Sequence, residues 1–158
     1  MTPKNRHFGT IRIEAGFSLV EVLIALVIMS VGMLGIAGLY VEGMKAGRTS
    51  TFRHHAVTLA SDVADRIRAN PRGGVDYEGA RGNNNCVLGN IDCNESQMAA
   101  NDIDLWLTQA EQMLPDGDIT ITFDDTVTPN TYRIVVSWAE AGALTAPTYS
   151  IIIPVNSF

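Results

Sequence analysis

Positive charge is scarce in this chain: its 158 residues include 11 Lys and Arg against 17 Asp and Glu, a formal net charge of −6. From residue 17 onward the imbalance grows, to 8 basic and 16 acidic side chains. A surface this acidic repels phosphate backbones, so no nucleic-acid partner is expected. Cysteine is nearly missing. Cys86 and Cys93 are separated by six residues, which does not match the C-x-x-C of redox sites, and no second Cys or His pair stands near enough to complete a zinc site. The catalytic signatures G-x-S-x-G and H-E-x-x-H and a phosphate-cradling glycine loop are absent as well. His54 and His55 are neighbours on a predicted helix, so they point in different directions and cannot share a metal. Asp116, Asp118, Asp124 and Asp125 fall in two separate turns, whereas calcium needs about 6–8 oxygens in one place. The sequence therefore leads us to expect no catalytic residues, no cofactor and no metal.

What the sequence does have is a long apolar run. Phe17 to Val41 is 25 residues with Glu21 as its sole charged side chain. At 1.5 Å per residue such a helix is about 37 Å long, sufficient for a hydrocarbon layer of about 30 Å. The apolar core of a secretory signal peptide is shorter, about 7–15 residues, and ends at small cleavage residues. A carboxylate in hydrocarbon costs about 2.5–3.5 kcal/mol, so Glu21 calls for a function and a partner. A cut after Gly16 would create one, the amino group of Phe17. Gly32, Gly35 and Gly38 recur every three residues and open a groove where another helix can approach. Ordinary glycine enrichment in membrane helices is the alternative reading of those three.

The helical pattern continues past the apolar run. Phe52, Ala56, Leu59, Ala60, Val63, Ala64 and Ile67 form one stripe at spacings of three and four. Asp62 and Arg66 face away from it as an i,i+4 pair. Asn70-Pro71-Arg72-Gly73-Gly74 predicts the end of this helix near residue 70. A polar loop from Gly73 to Asn94 follows. Within it, Asn94-Glu95-Ser96 matches a glycosylation acceptor, a three-residue pattern common by chance. Asp102 is expected to cap a helix from Ile103 to Leu114, with Ile103, Trp106, Leu107, Ala110, Met113 and Leu114 buried. After a turn at residues 115–118, strands are predicted at Ile119–Phe123, Tyr132–Trp138 and Tyr149–Val155. Connections this short suit an antiparallel meander. The expected fold class is α+β: one long N-terminal helix with a small antiparallel β-sheet packed on its amphipathic half.

Gly16-Phe17-Ser18-Leu19-Val20-Glu21, followed by Val22-Leu23-Ile24-Ala25-Leu26, resembles the class III (prepilin-type) signal of type IV pilins and type II secretion pseudopilins. Within that class, residues 64–71 (Ala-Asp-Arg-Ile-Arg-Ala-Asn-Pro) and the stretch from Trp106 to Pro115 are similar to the PilV family of minor pilins, the type IV pilus modification proteins. The resemblance implies a ladle-shaped fold. It implies a cleaved leader at 1–16, a transmembrane and filament-core half-helix at 17–41, and a periplasmic domain at 42–158 that includes the amphipathic half-helix. It also implies that prepilin peptidase cuts between Gly16 and Phe17 and methylates the Phe17 amine, and that Glu21 engages a neighbouring subunit's Phe17. Partners would be other minor pilins, the major pilin and the inner-membrane assembly machinery. The function implied is initiation and regulation of pilus assembly, supporting twitching motility and adhesion. Charge does not orient the span, because Lys4, Arg6 and Arg12 precede it while Lys45, Arg48 and Arg53 follow. The resemblance places the amino end in the cytoplasm and the head in the periplasm. In an exported head Cys86 and Cys93 are expected to pair; in a cytosolic one they would stay thiols. A minor pseudopilin of a type II secretion system and a signal-anchored periplasmic enzyme are the alternatives.

Overall fold

The computed structural model describes residues 16–87, 89 and 91–155; the expected leader, apart from Gly16, lies outside the described residues. Helix α1 spans Leu19–Ala69, a 3-10 segment follows at Pro71–Glu78, and helix α2 spans Glu95–Met113. Strands β1 (Asp118–Asp124), β2 (Asn130–Ser137) and β3 (Thr148–Val155) complete the chain. These elements fall into two compact units, residues 1–44 and 45–158.

In the first unit, every described residue is exposed, and the large ones are almost all apolar. Among the described residues, α1 is the one helix long and apolar enough to cross a membrane. Such a segment must satisfy its polar groups internally. Ser30 does so, its hydroxyl donating to the carbonyls of Leu26 at 2.7 Å and Val27 at 3.0 Å.

The second unit has one core. Ala56, Leu59, Ala60, Val63, Ala64 and Ile67 of α1 are buried, and Phe52 packs against them, the stripe the sequence predicts. From α2 come Ala99, Ile103, Trp106 and Ala110, with Leu114 just beyond the helix. The sheet is an antiparallel meander in the order β1-β2-β3. Its register sets three core-facing rows across the strands: Phe123–Tyr132–Ile153, Ile121–Ile134–Ile151 and Ile119–Val136–Tyr149. Alternating burial fixes that register, because a one-residue slip of any strand would turn that strand's members of these rows to solvent.

Several expectations are corrected. Helix α2 begins eight residues before Ile103, at Glu95, and Asp102 lies inside it rather than capping it. Asn94 is the cap. Its side chain accepts from the Gln97 N–H at 2.8 Å, and the Gln97 side chain accepts from the Asn94 N–H at 3.1 Å, a reciprocal capping box. Met113, expected to be buried, is exposed where the helix ends. The predicted loop is also more structured than its polarity suggests. Pro71 starts the 3-10 turn that swings Tyr77 into the core, where it is 1% exposed and stacks on Trp106 at 5.8 Å. Gly73 permits this, since a Cβ there would stand 2.5 Å from the Tyr77 ring.

Candidate functional site

Glu21 stands in the first turn of α1, in the unit whose apolar side chains are all exposed. The local sequence starts the helix there. The Ser18 hydroxyl oxygen accepts from the Val20 N–H at 3.3 Å, and the Ser18 carbonyl accepts from the Val22 N–H at 3.2 Å. Ser18 is thus the helix cap, and Glu21 is the third helical residue, where a negative charge complements the positive end of the helix dipole. The sequence reading gave Glu21 an intermolecular role and missed this local one, although Ser-x-x-Glu is the spacing of a capping box. Phe17 and Gly16 precede the helix and are exposed. A Cβ added at Gly32, Gly35 or Gly38 meets nothing within 4 Å. No packing among the described residues therefore requires glycine at those three positions.

The second unit carries a polar lock between its three helical segments. Arg66 on α1 reaches Asp102 on α2 at 3.0 Å and Asp62 at 3.5 Å. Tyr77 donates its hydroxyl to the other Asp102 oxygen at 3.3 Å, and the Trp106 indole N–H donates to Asp62 at 3.2 Å. The Asn70 amide donates to the Tyr77 oxygen at 3.1 Å and to the Glu95 carbonyl at 3.0 Å. Burial raises the Asp102 carboxyl above its usual range, opposed by Arg66 beside it. Burial likewise raises the Tyr77 hydroxyl, and pushes Tyr132 up to about 12. Such a lock suits a structural role, since Asp102 is buried and both acids are already held by partners within the lock. The predicted Asp62–Arg66 pair is present, but its exposed geometry contributes little beside the buried Arg66–Asp102 contact.

Cys86 and Cys93 are disulfide-bonded, as expected for an exported head. Asn101, 4% exposed, anchors this loop to α2 by accepting from the backbone N–H groups of Asn84 at 3.2 Å and Cys86 at 3.3 Å. Among the described residues, no group of His, Cys, Asp and Glu is placed to hold a metal. His54 is exposed and His55 half-buried.

Residues 11–37 match the family model described as the prokaryotic N-terminal methylation motif, and residues 38–104 match the model described as Tt1218-like, type IV pilin Tt1218. The two matches adjoin and together run from residue 11 to residue 104. The two matches support a type IV pilin. No curated protein and no solved structure matches it. The first match contains Gly16, Phe17, Glu21, Gly32 and Gly35, and the second contains Gly38, the disulfide and every member of the polar lock except Trp106. A pilin with this motif is a substrate for the prepilin peptidase and assembles with other pilins as a structural subunit. The block at 64–71 supplies Ala64 and Ile67 to the core, Arg66 and Asn70 to the lock, and Pro71 to the 3-10 turn.

Proposed function

We propose that this pilin is a minor subunit of the PilV kind, initiating and regulating type IV pilus assembly and so supporting twitching motility and adhesion. Glu21, set in the first turn of an apolar helix with nothing packed on it, carries the reading. In this proposal prepilin peptidase cleaves between Gly16 and Phe17 and methylates the new Phe17 amine. That amine, on a neighbouring pilin, pairs with Glu21. In low dielectric the two opposite charges attract strongly, and pairing offsets a desolvation that neither would tolerate alone. Gly32, Gly35 and Gly38 give the neighbouring helix a place to approach. The neighbours are other minor pilins and the major pilin. Before assembly the chain is a single-pass inner-membrane protein, with residues 17–41 in the bilayer and the domain from 42 to 158 in the periplasm.

Amino-terminal sequencing and mass spectrometry of membrane-extracted protein test the processing step. The expected mature chain begins with methylated Phe17, and a chain that keeps residues 1–16 in cells with active peptidase would overturn the proposal. Deleting the gene tests the pathway. Loss of surface pili and twitching is expected; loss of exoprotein export with pili intact would replace the pilus role with that of a minor pseudopilin.

A further inference from the structure

The start of the head is basic although the rest of it is acidic. Residues 42–53 hold Lys45, Arg48 and Arg53 against Glu42, whereas residues 54–158 hold five basic side chains against fourteen acidic ones. Lys45, Arg48 and Phe52 form one wall of an open groove of about 540 Å³, and Pro115 and residues 139–141 form the other. The exposed Arg48 guanidinium lies 6.0 Å above the Phe52 ring. Glu140, the carboxylate in the groove wall, accepts a hydrogen bond from the Thr49 hydroxyl. That bond ties the connection between β2 and β3 to the first turns of α1 in this unit. The Trp138 N–H donates to the Pro147 carbonyl at 3.2 Å and closes the loop, and the Ala143 N–H donates to the Glu140 carbonyl at 3.1 Å to form its turn. Residues 141–146 carry no charge, and Leu144 is fully exposed among them.

A single exposed leucine would mean nothing by itself. What matters is that its loop supplies Ala139, Glu140 and Ala141 to a groove lined also by Lys45 and Arg48, which follow the apolar run in the sequence. Arg48 follows Val41 by seven residues in the sequence. We infer that this end of the head rests on an anionic bilayer before assembly, with Lys45 and Arg48 against headgroup phosphates and Leu144 at the acyl boundary. The inference rests on the membrane-anchored reading of residues 17–41. Charge complementarity selects the occupant, because the same lipid surface repels the acidic remainder of the head and leaves the basic end as the one that can approach.

The test uses the full-length chain in vesicles of phosphatidylcholine alone or with phosphatidylglycerol. An environment-sensitive fluorophore is placed at Leu144→Cys after the native disulfide has formed, and a second preparation carries it at Val31→Cys to report the anchor. In phosphatidylglycerol vesicles the probe at 144 is expected to be blue-shifted and quenched by brominated lipid at every protein-to-lipid ratio. Arg48→Gln should lower the ratio of quenched to unquenched probe about fivefold, the effect of one basic residue near an anionic surface. A wet probe at 144 with a dry one at 31 would overturn the lipid contact and leave the anchor standing, while wet probes at both would remove the two together. Protection at 144 that is equal in phosphatidylcholine, or that grows with protein density, would assign the groove to a neighbouring protein chain and overturn the inference.

Discussion

Asp102 is 2% exposed, and its position between Arg66 and Tyr77 decides how the head responds to acid. Burial holds a proton on this carboxyl more tightly in the folded chain than in the unfolded one, with the Arg66 charge opposing. In the window just above the usual carboxylate value the folded state therefore binds more protons, and stability contributed by this group falls as pH rises through it. An Asp102→Asn variant should flatten that part of the stability curve, as read by denaturant unfolding of the detergent-solubilised chain at several pH values. An unchanged slope would mean that Arg66 fully compensates the burial. Asn101 makes the neighbouring case without a charge. Its one side-chain oxygen serves two backbone N–H groups, of Asn84 and Cys86. Asn101→Ala leaves both without their acceptor, and the expected loss is about 1–3 kcal/mol by the same measurement.

At the level of elements, Asn94 shows how one short motif supports two readings. As sequence, Asn94-Glu95-Ser96 is a chance glycosylation match; in the fold, Asn94 and Gln97 cap each other and start α2. Asn94→Ala should destabilise the head by about 0.5–2 kcal/mol and lower the helix signal in circular dichroism. A loss well below that range would show that tertiary packing alone starts the helix. The elements legible in the sequence are those with a strong period. The buried stripe of α1 repeats at three and four, and the rows of β1 alternate at two, so both were placed to within a residue or two. Helix α2 was cut short because its first turns hold Met98 as their one large apolar residue, beside the small Ala99 and Ala100, and because Asp102 looked like a cap. Tyr77 was missed for a different reason. Its burial comes from a turn that Pro71 begins and Gly73 makes room for, and neither residue signals which later side chain will be carried inward. The groove at Arg48 was equally hidden, since it joins residues about ninety positions apart.

For the whole molecule, apolar and charged residues are divided between the two units. Residues 17–41 contain the single charge of Glu21, while the head after residue 53 is strongly acidic. Like-charged heads repel when subunits come together, so assembly must draw its driving force from the apolar helices, where lipid offers no hydrophobic gain and packing and polar pairing decide. That makes the sole charge in the span the natural determinant of position. On the proposed pairing, Glu21→Ala removes the partner of a neighbour's Phe17 amine at a cost of about 2.5–3.5 kcal/mol, so incorporation should fall on the order of a hundredfold. The anchor itself keeps its length and becomes more apolar, so the amount in the membrane should not fall. Immunoblots of sheared pili beside membrane fractions separate the two quantities. If Glu21→Ala reaches the pilus fraction as the natural chain does, the pairing with Phe17 is refuted; if it disappears from the membrane as well, Glu21 acts through the stability of the helix start, where Ser18 already supplies the cap.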